Sequence, residues 1–197
     1  MQINQSQEDE KYLKILNIDK DFTCIRCLSK KRLRFEIEYA LERGTSVNSF
    51  LISKDTNSQS IHDKVLLIHP PGENYKKIYL NEIENQINIK NRNVSIIVGH
   101  INPNRVSLLR RLSNTYEDLT LICTQPGAKL LTDIWTQKNS LLIENKEQII
   151  AIPKLKVIKK REVISWFDKY QLHLIPIPTA RWPGGLIVFE ENLGLLM

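Results

Sequence analysis

The residues best placed to do chemistry lie together in Val94-Ser-Ile-Ile-Val-Gly-His100-Ile-Asn102-Pro-Asn104-Arg105. An apolar strand ends in a Gly-His pair and a helix begins a few residues later. Several side chains therefore converge at the carboxyl edge of a sheet, where open α/β sheets place ligands. His100 offers an imidazole that can bind a metal ion or move a proton. The polar residues after it are of another kind: Asn102 and Asn104 are neutral amides, and Arg105 carries a permanent charge with no lone pair to donate. Taken alone, G-H-x-N-P-N-R also reads as an ordinary strand-to-helix turn, with Asn and Pro as cap and turn residues.

Other candidate chemistry is sparser. Cys24 and Cys27 form a C-x-x-C, but Phe22–Leu28 alternates like a strand, and their odd spacing sends the two sulfurs to opposite faces, against a shared zinc or redox site. With Cys123 the chain holds 3 cysteines, an odd number that suggests no disulfide framework. His62, His69 and His173 show no metal-ligand spacing. The 7 glycines never form G-x-G-x-x-G or a P-loop, so nucleotide or flavin binding by this chain alone is not supported.

The elements that must position these residues follow from the hydrophobic period. Residues 1–20 are polar and are expected to be mobile or loosely docked, with one domain over residues 21–197. Strand signals at Phe22–Leu28, Leu33–Leu41 and Val47–Ile52 predict an antiparallel meander. From Lys64 the rhythm becomes strand, helix, strand, helix. Strands are expected at Val65–His69, Val94–Gly99 and Leu119–Thr124, with helices at Tyr75–Ile89 and Val106–Leu112. A third helix opens near Pro126 and carries Leu130, Leu131, Ile134 and Trp135 inward. Strands return at Gln148–Ile152, Leu155–Lys159, Leu172–Ile177 and Leu186–Glu190. The strand-like Leu193–Met197 ends the sequence on an apolar run, which reads as a truncated or split product.

Composition narrows the class. A chain of 197 residues, 42% hydrophobic and 25% charged, can bury one sizeable core. Apolar runs such as Val65–Ile68 fall far short of the ~20 residues that span a bilayer, and Met1–Lys20 is not signal-like; both point to a cytoplasmic protein with no membrane partner. The net charge of +6 permits an acidic partner. Its positive residues are scattered over Lys30–Arg34, Arg110–Arg111 and Lys154–Arg161, without the aromatic-interleaved stripe of a nucleic-acid binder, so a solvated basic surface is expected.

The His100 segment resembles the H-x-E-x-D-H motif of the flavodiiron proteins, among them the diflavin flavoproteins (A-type flavoproteins) of oxygenic phototrophs, in the metallo-β-lactamase superfamily. His100 is kept; Asn102 stands where the family has Glu, Asn104 where it has Asp, and Arg105 where it has the second His. A second match, Pro178-Thr179-Ala180-Arg181-Trp182-Pro183, resembles the segment in which a ligand His precedes Trp-Pro, with Arg181 at the histidine position. Gly44–Ile52 and Leu66–Gly72 resemble family strands, with His69 where an Asp is common. The resemblance covers about Asp21 to Met197 and places the remaining Asp and His ligands beyond Met197. It implies an α/β, metallo-β-lactamase-like αβ/βα sandwich of four layers, C-terminally incomplete.

The resemblance implies a family chemistry in which electrons pass from NAD(P)H through FMN or FAD to oxygen at a di-iron site, giving water. Here two carboxylates have become amides and two imidazoles have become guanidiniums, a change of roughly four charge units against any bound cation. At an effective dielectric of about 20, one like-charge contact at about 4 Å costs roughly 4 kcal/mol. No iron, no catalytic residue and no cofactor held by this chain alone are therefore expected. Arg105 and Arg181 would instead fill the cavity or attract a small anion beside a helix N-terminus, and Trp182 could face a flavin from a partner. The implied role is a scaffold or partner subunit, inactive by itself. It would sit in a homo- or hetero-oligomer with a flavodiiron homologue that keeps its ligands, with a flavin-binding domain in cis or trans. A metal-free interaction module and a nucleic-acid-binding lactamase relative are the alternatives.

Overall fold

The structure, a computed structural model, describes residues 11–30, 44–54, 64–86, 93–116, 118–142, 151–178 and 184–197, with backbone alone over 137–142. Strands β1 (Lys11–Asp19), β2 (Phe22–Ser29), β3 (Thr45–Ser53) and β4 (Lys64–Ile68) pair antiparallel in chain order. The parallel strands β5 (Asn93–Ile97), β6 (Leu119–Thr124) and β7 (Lys154–Ile158) extend them into a seven-stranded sheet. Helices α1 (Lys76–Gln86), α2 (Pro103–Thr115) and α3 (Gln125–Leu142) are the crossovers between the parallel strands. A second, antiparallel sheet holds β8 (Glu162–Trp166), β9 (Tyr170–Ile177), β10 (Gly185–Glu190) and β11 (Leu195–Leu196), in the order β11-β10-β9-β8.

Period-2 alternation divides the apolar residues between two cores. Val65, Leu67, Val94, Ile96, Leu121 and Cys123 face the helices, against Tyr79, Ile83, Leu109, Leu112, Leu131 and Trp135. Leu66, Ile68, Ile97, Ile122 and Ile158 face the second sheet, against Tyr170, Leu172, Leu174, Leu186 and Val188. Central strands covered on both faces read as near-continuous apolar runs, which is why Val65–Ile68 carries no polar residue. The layers are thus helices, seven-stranded sheet and four-stranded sheet. Among the described residues no helix covers the outer face of the second sheet, where Val163 is 48% and Leu196 64% exposed.

Cys24 and Cys27 do go to opposite faces, one to each core, and with Cys123 all three thiols are buried and free. Burial pushes each of them up from the ordinary thiol value, so they behave as small hydrophobes.

The strand and surface expectations need correction at several places. Residues 11–19 are not loosely docked but form β1, paired with β2 along its length. An edge strand buries little, so a polar sequence can still be a strand there. Strand β8 escaped notice because only alternate residues of Glu162–Trp166 are part-buried. Arg110 belongs to no basic surface: it is 6% exposed and donates to the Ile134 and Trp135 carbonyls of α3. Residues 151–153 carry no regular structure, and the expected strand Leu33–Leu41, like residues 1–10 and 148–150, lies outside the described residues. No helix among the described residues is long and apolar enough to cross a membrane.

Candidate functional site

The site is built at the carboxyl ends of β4 and β5. Asn102, in extended conformation, caps α2: its side-chain oxygen accepts the Arg105 backbone N–H at 2.9 Å and its carbonyl accepts those of Arg105 and Val106 at 3.1 Å. Pro103, in the first turn, lacks an N–H that would otherwise go unsatisfied there. The helix therefore begins at Pro103 rather than at Val106, and Arg105 stands inside its first turn instead of preceding it. From there the guanidinium reaches back and donates to the His100 carbonyl at 3.2 Å. Asn104 is half-buried next to Gly72, whose added Cβ would meet the Asn104 Cβ at 3.4 Å.

His69 joins this group from the end of β4. It takes the left-handed backbone region at φ 53, its backbone N–H donates to Ile97 at 2.9 Å, and its Nδ1 accepts the Gly99 N–H at 3.1 Å. Gly99 is squeezed from both sides: a Cβ there would lie 2.3 Å from the imidazole of His69 and 2.4 Å from the Leu186 carbonyl of β10. Only glycine lets the end of β5 pass between that ring and the second sheet.

Electrostatics follow from the geometry. Burial first, and the Arg105 charge second, lower both His69 and His100 to about 4, so both rings are neutral at physiological pH. Burial lowers Arg105 itself to about 10, which still leaves it charged. Arg181 and Trp182 lie outside the described residues.

A di-iron centre needs carboxylates and imidazoles converging on two ions, and the groups present do not fit one. The Asn102 oxygen is given to the helix, Asn104 is an amide, and Arg105 is a charged guanidinium with no lone pair to offer. Among the described residues no three His, Cys, Asp or Glu side chains come together as a metal-ligand group.

Diflavin flavoprotein A 6 of Nostoc sp. (strain PCC 7120) is 33% identical over 191 residues, which is 97% of this chain and 30% of that protein. The crystal structure of diflavin flavoprotein A 5 from Nostoc sp. PCC 7120 (fragment 1-254) matches at TM-score 0.75 and 30% identity, covering 93% of this chain and 64% of that one. The chain belongs to the diflavin flavoprotein (flavodiiron) family. A metal-soaked Flv1 flavodiiron core from Synechocystis sp. PCC6803 matches equally well, at TM-score 0.75 and 30% identity over 95% of this chain and 41% of that core. No protein-family model matches. The flavodiiron resemblance read from the His100 segment thus holds across the chain, as does its metallo-β-lactamase-like fold. The chain spans less than a third of the length of its curated diflavin flavoprotein relatives.

The sequence reading missed His69 as a member of the site. The signal was available in its place directly after a buried strand, but a separation of 30 residues from Gly99 hides a contact that only the parallel β4–β5 pairing creates.

Two outcomes are expected. Gly99→Ala should lower stability by about 1–3 kcal/mol in urea unfolding, through overpacking against His69 and β10; an unchanged midpoint would show that the edge has room. The pH effect has a definite sign. His69 and His100 protonate near 6.5 when unfolded and near 4 when folded, so their contribution is complete above the first value and is lost as pH falls toward the second. Asp19, held near 2 by Lys169 ahead of other partners, acts only below its ordinary value of 3.8 and so outside this window. The urea midpoint should fall between about pH 7 and about pH 4.5, and His69→Asn/His100→Asn should flatten that fall; an equal fall in the variant would place its cause elsewhere.

Proposed function

We propose that this chain is the lactamase-like portion of a cytoplasmic, diflavin flavoprotein-type NAD(P)H:oxygen oxidoreductase, holding no di-iron pair and serving as a scaffold or partner subunit. Passage of electrons from NAD(P)H through FMN or FAD to oxygen belongs, on this reading, to an assembled protein. Flavin comes from a domain in cis or in trans, and the chain alone is inactive. The boundary of the lactamase-like unit then lies at or before β1.

The observation that supports this best is the use made of Asn102. At the position of a family carboxylate ligand, the side-chain oxygen is spent on capping α2 at 2.9 Å, and the residue it caps is Arg105, whose charge repels a metal ion. A local rearrangement that freed Asn102 would uncap the helix, at a cost of about 1 kcal/mol. With Arg181, the guanidinium of Arg105 suits a small anion better than a cation, and Trp182 is the residue we assign to face a partner's flavin.

The assembly is tested by co-expression with a diflavin flavoprotein that keeps the H-x-E-x-D-H motif. The tagged chain should carry that homologue through size-exclusion chromatography, with the iron of the complex accounted for by the homologue. Separate elution, with this chain a monomer and the homologue assembled without it, would contradict the reading.

A further inference from the structure

Beyond the His100–Arg105 edge, the ends of β6, β7 and β9 and the start of β10 line an open cavity of about 700 Å³, within the range of small-molecule sites. None of His69, His100, Asn102 or Arg105 lines it. Its walls are mostly apolar, with Ile158, Ile175 and Pro176 prominent, while Lys159, Lys160 and Arg161 come from the turn between β7 and β8. Among the described residues no Asp or Glu lines the cavity. Lys159 and Lys160 enter no ion pair among the described residues, and Arg161 is steadied by a contact of its guanidinium with His173 Nδ1 at 2.7 Å.

One wall is fixed by backbone packing. Gly184, at φ 92, sits so close to the first turn of α3 that an added Cβ would lie 2.6 Å from the Gly127 Cα. Thr124 Oγ1 accepts the Gly127 N–H at 3.2 Å and holds that turn in place. The start of α3, at Gln125 and Pro126, also borders the cavity, and its positive dipole end has the same sign as the three side chains.

An open cavity with an apolar wall, three cations and no carboxylate among its described lining residues selects a particular ligand class. A metal ion or a polycation is repelled, a simple inorganic anion leaves the apolar wall unused, and a neutral apolar molecule leaves the charges unused. We propose that this cavity binds a small amphipathic organic anion, with its apolar body against Ile158, Ile175 and Pro176 and its acidic group on Lys159, Lys160 and Arg161.

The probe is 8-anilinonaphthalene-1-sulfonate, titrated by fluorescence into the full chain. Saturable single-site binding is expected, weakened about ten-fold or more by Lys159→Gln/Lys160→Gln and weakened again as salt rises from about 0.05 M to about 0.5 M. The control Lys64→Gln/Lys77→Gln, which removes two exposed lysines elsewhere, should bind as the parent does. Neutral 1-anilinonaphthalene should bind at least about ten-fold more weakly than the sulfonate, and inorganic phosphate should compete only at much higher concentration. Equal binding by parent and Lys159→Gln/Lys160→Gln, equal loss in the control, equal affinity for the neutral probe, or phosphate competing on par with the sulfonate would each overturn the proposal. Circular dichroism melts of both variants exclude unfolding as the cause of any loss.

Discussion

The hydrogen bond from the Arg105 backbone to the Asn102 side chain fixes the start of α2, and with it everything at this end of the sheet. Because the helix begins at Pro103, Arg105 falls in the first turn, its guanidinium reaches the His100 carbonyl, and its charge acts on two imidazoles from two different strands. A carboxylate at position 102 could also cap the helix, but it would bring a negative charge beside Arg105. The amide satisfies the cap and leaves the local charge positive.

Two cations among the described residues, the half-buried Arg105 and the buried Arg110, are handled in the same way. Arg105 donates to the carbonyl of His100, and Arg110 donates to carbonyls of α3 while lying over the Trp135 ring at 5.4 Å. Among the described residues neither has a carboxylate partner. Main-chain oxygens pay the desolvation cost of a guanidinium without tying it to the ionisation of an acid. The result is positive charge built into the packing between sheet and helices, insensitive to the protonation of any neighbouring carboxyl group.

How much of this was legible in the sequence depended on whether the determining contact was local. The opposite faces of Cys24 and Cys27 and the inward positions of Leu131 and Trp135 follow from spacing of a few residues, and both are found; the start of α2, expected at Val106, lies instead at Pro103, where Asn102 caps it. The αβ crossover rhythm from Lys64 onward was equally plain, since strands covered on both faces carry few polar residues to interrupt the apolar run. The edge strand β1 and the outer strand β8 were not, because a strand with one paired side or one exposed face carries little apolar signal. His69 and Arg110 were misplaced for a different reason. Each meets its partner across 24 to 30 residues of sequence, through strand pairing and helix packing that no single-residue property announces.

Metal content tests the account of the sheet edge most directly. The purified chain is incubated anaerobically with excess ferrous salt, desalted and analysed for iron by mass spectrometry, beside a diflavin flavoprotein that keeps its full ligand set. An edge made of Asn102, Asn104 and Arg105 around neutral imidazoles should retain far less than one iron per chain. Retention of about two irons per chain, as a two-metal site would hold, would contradict it.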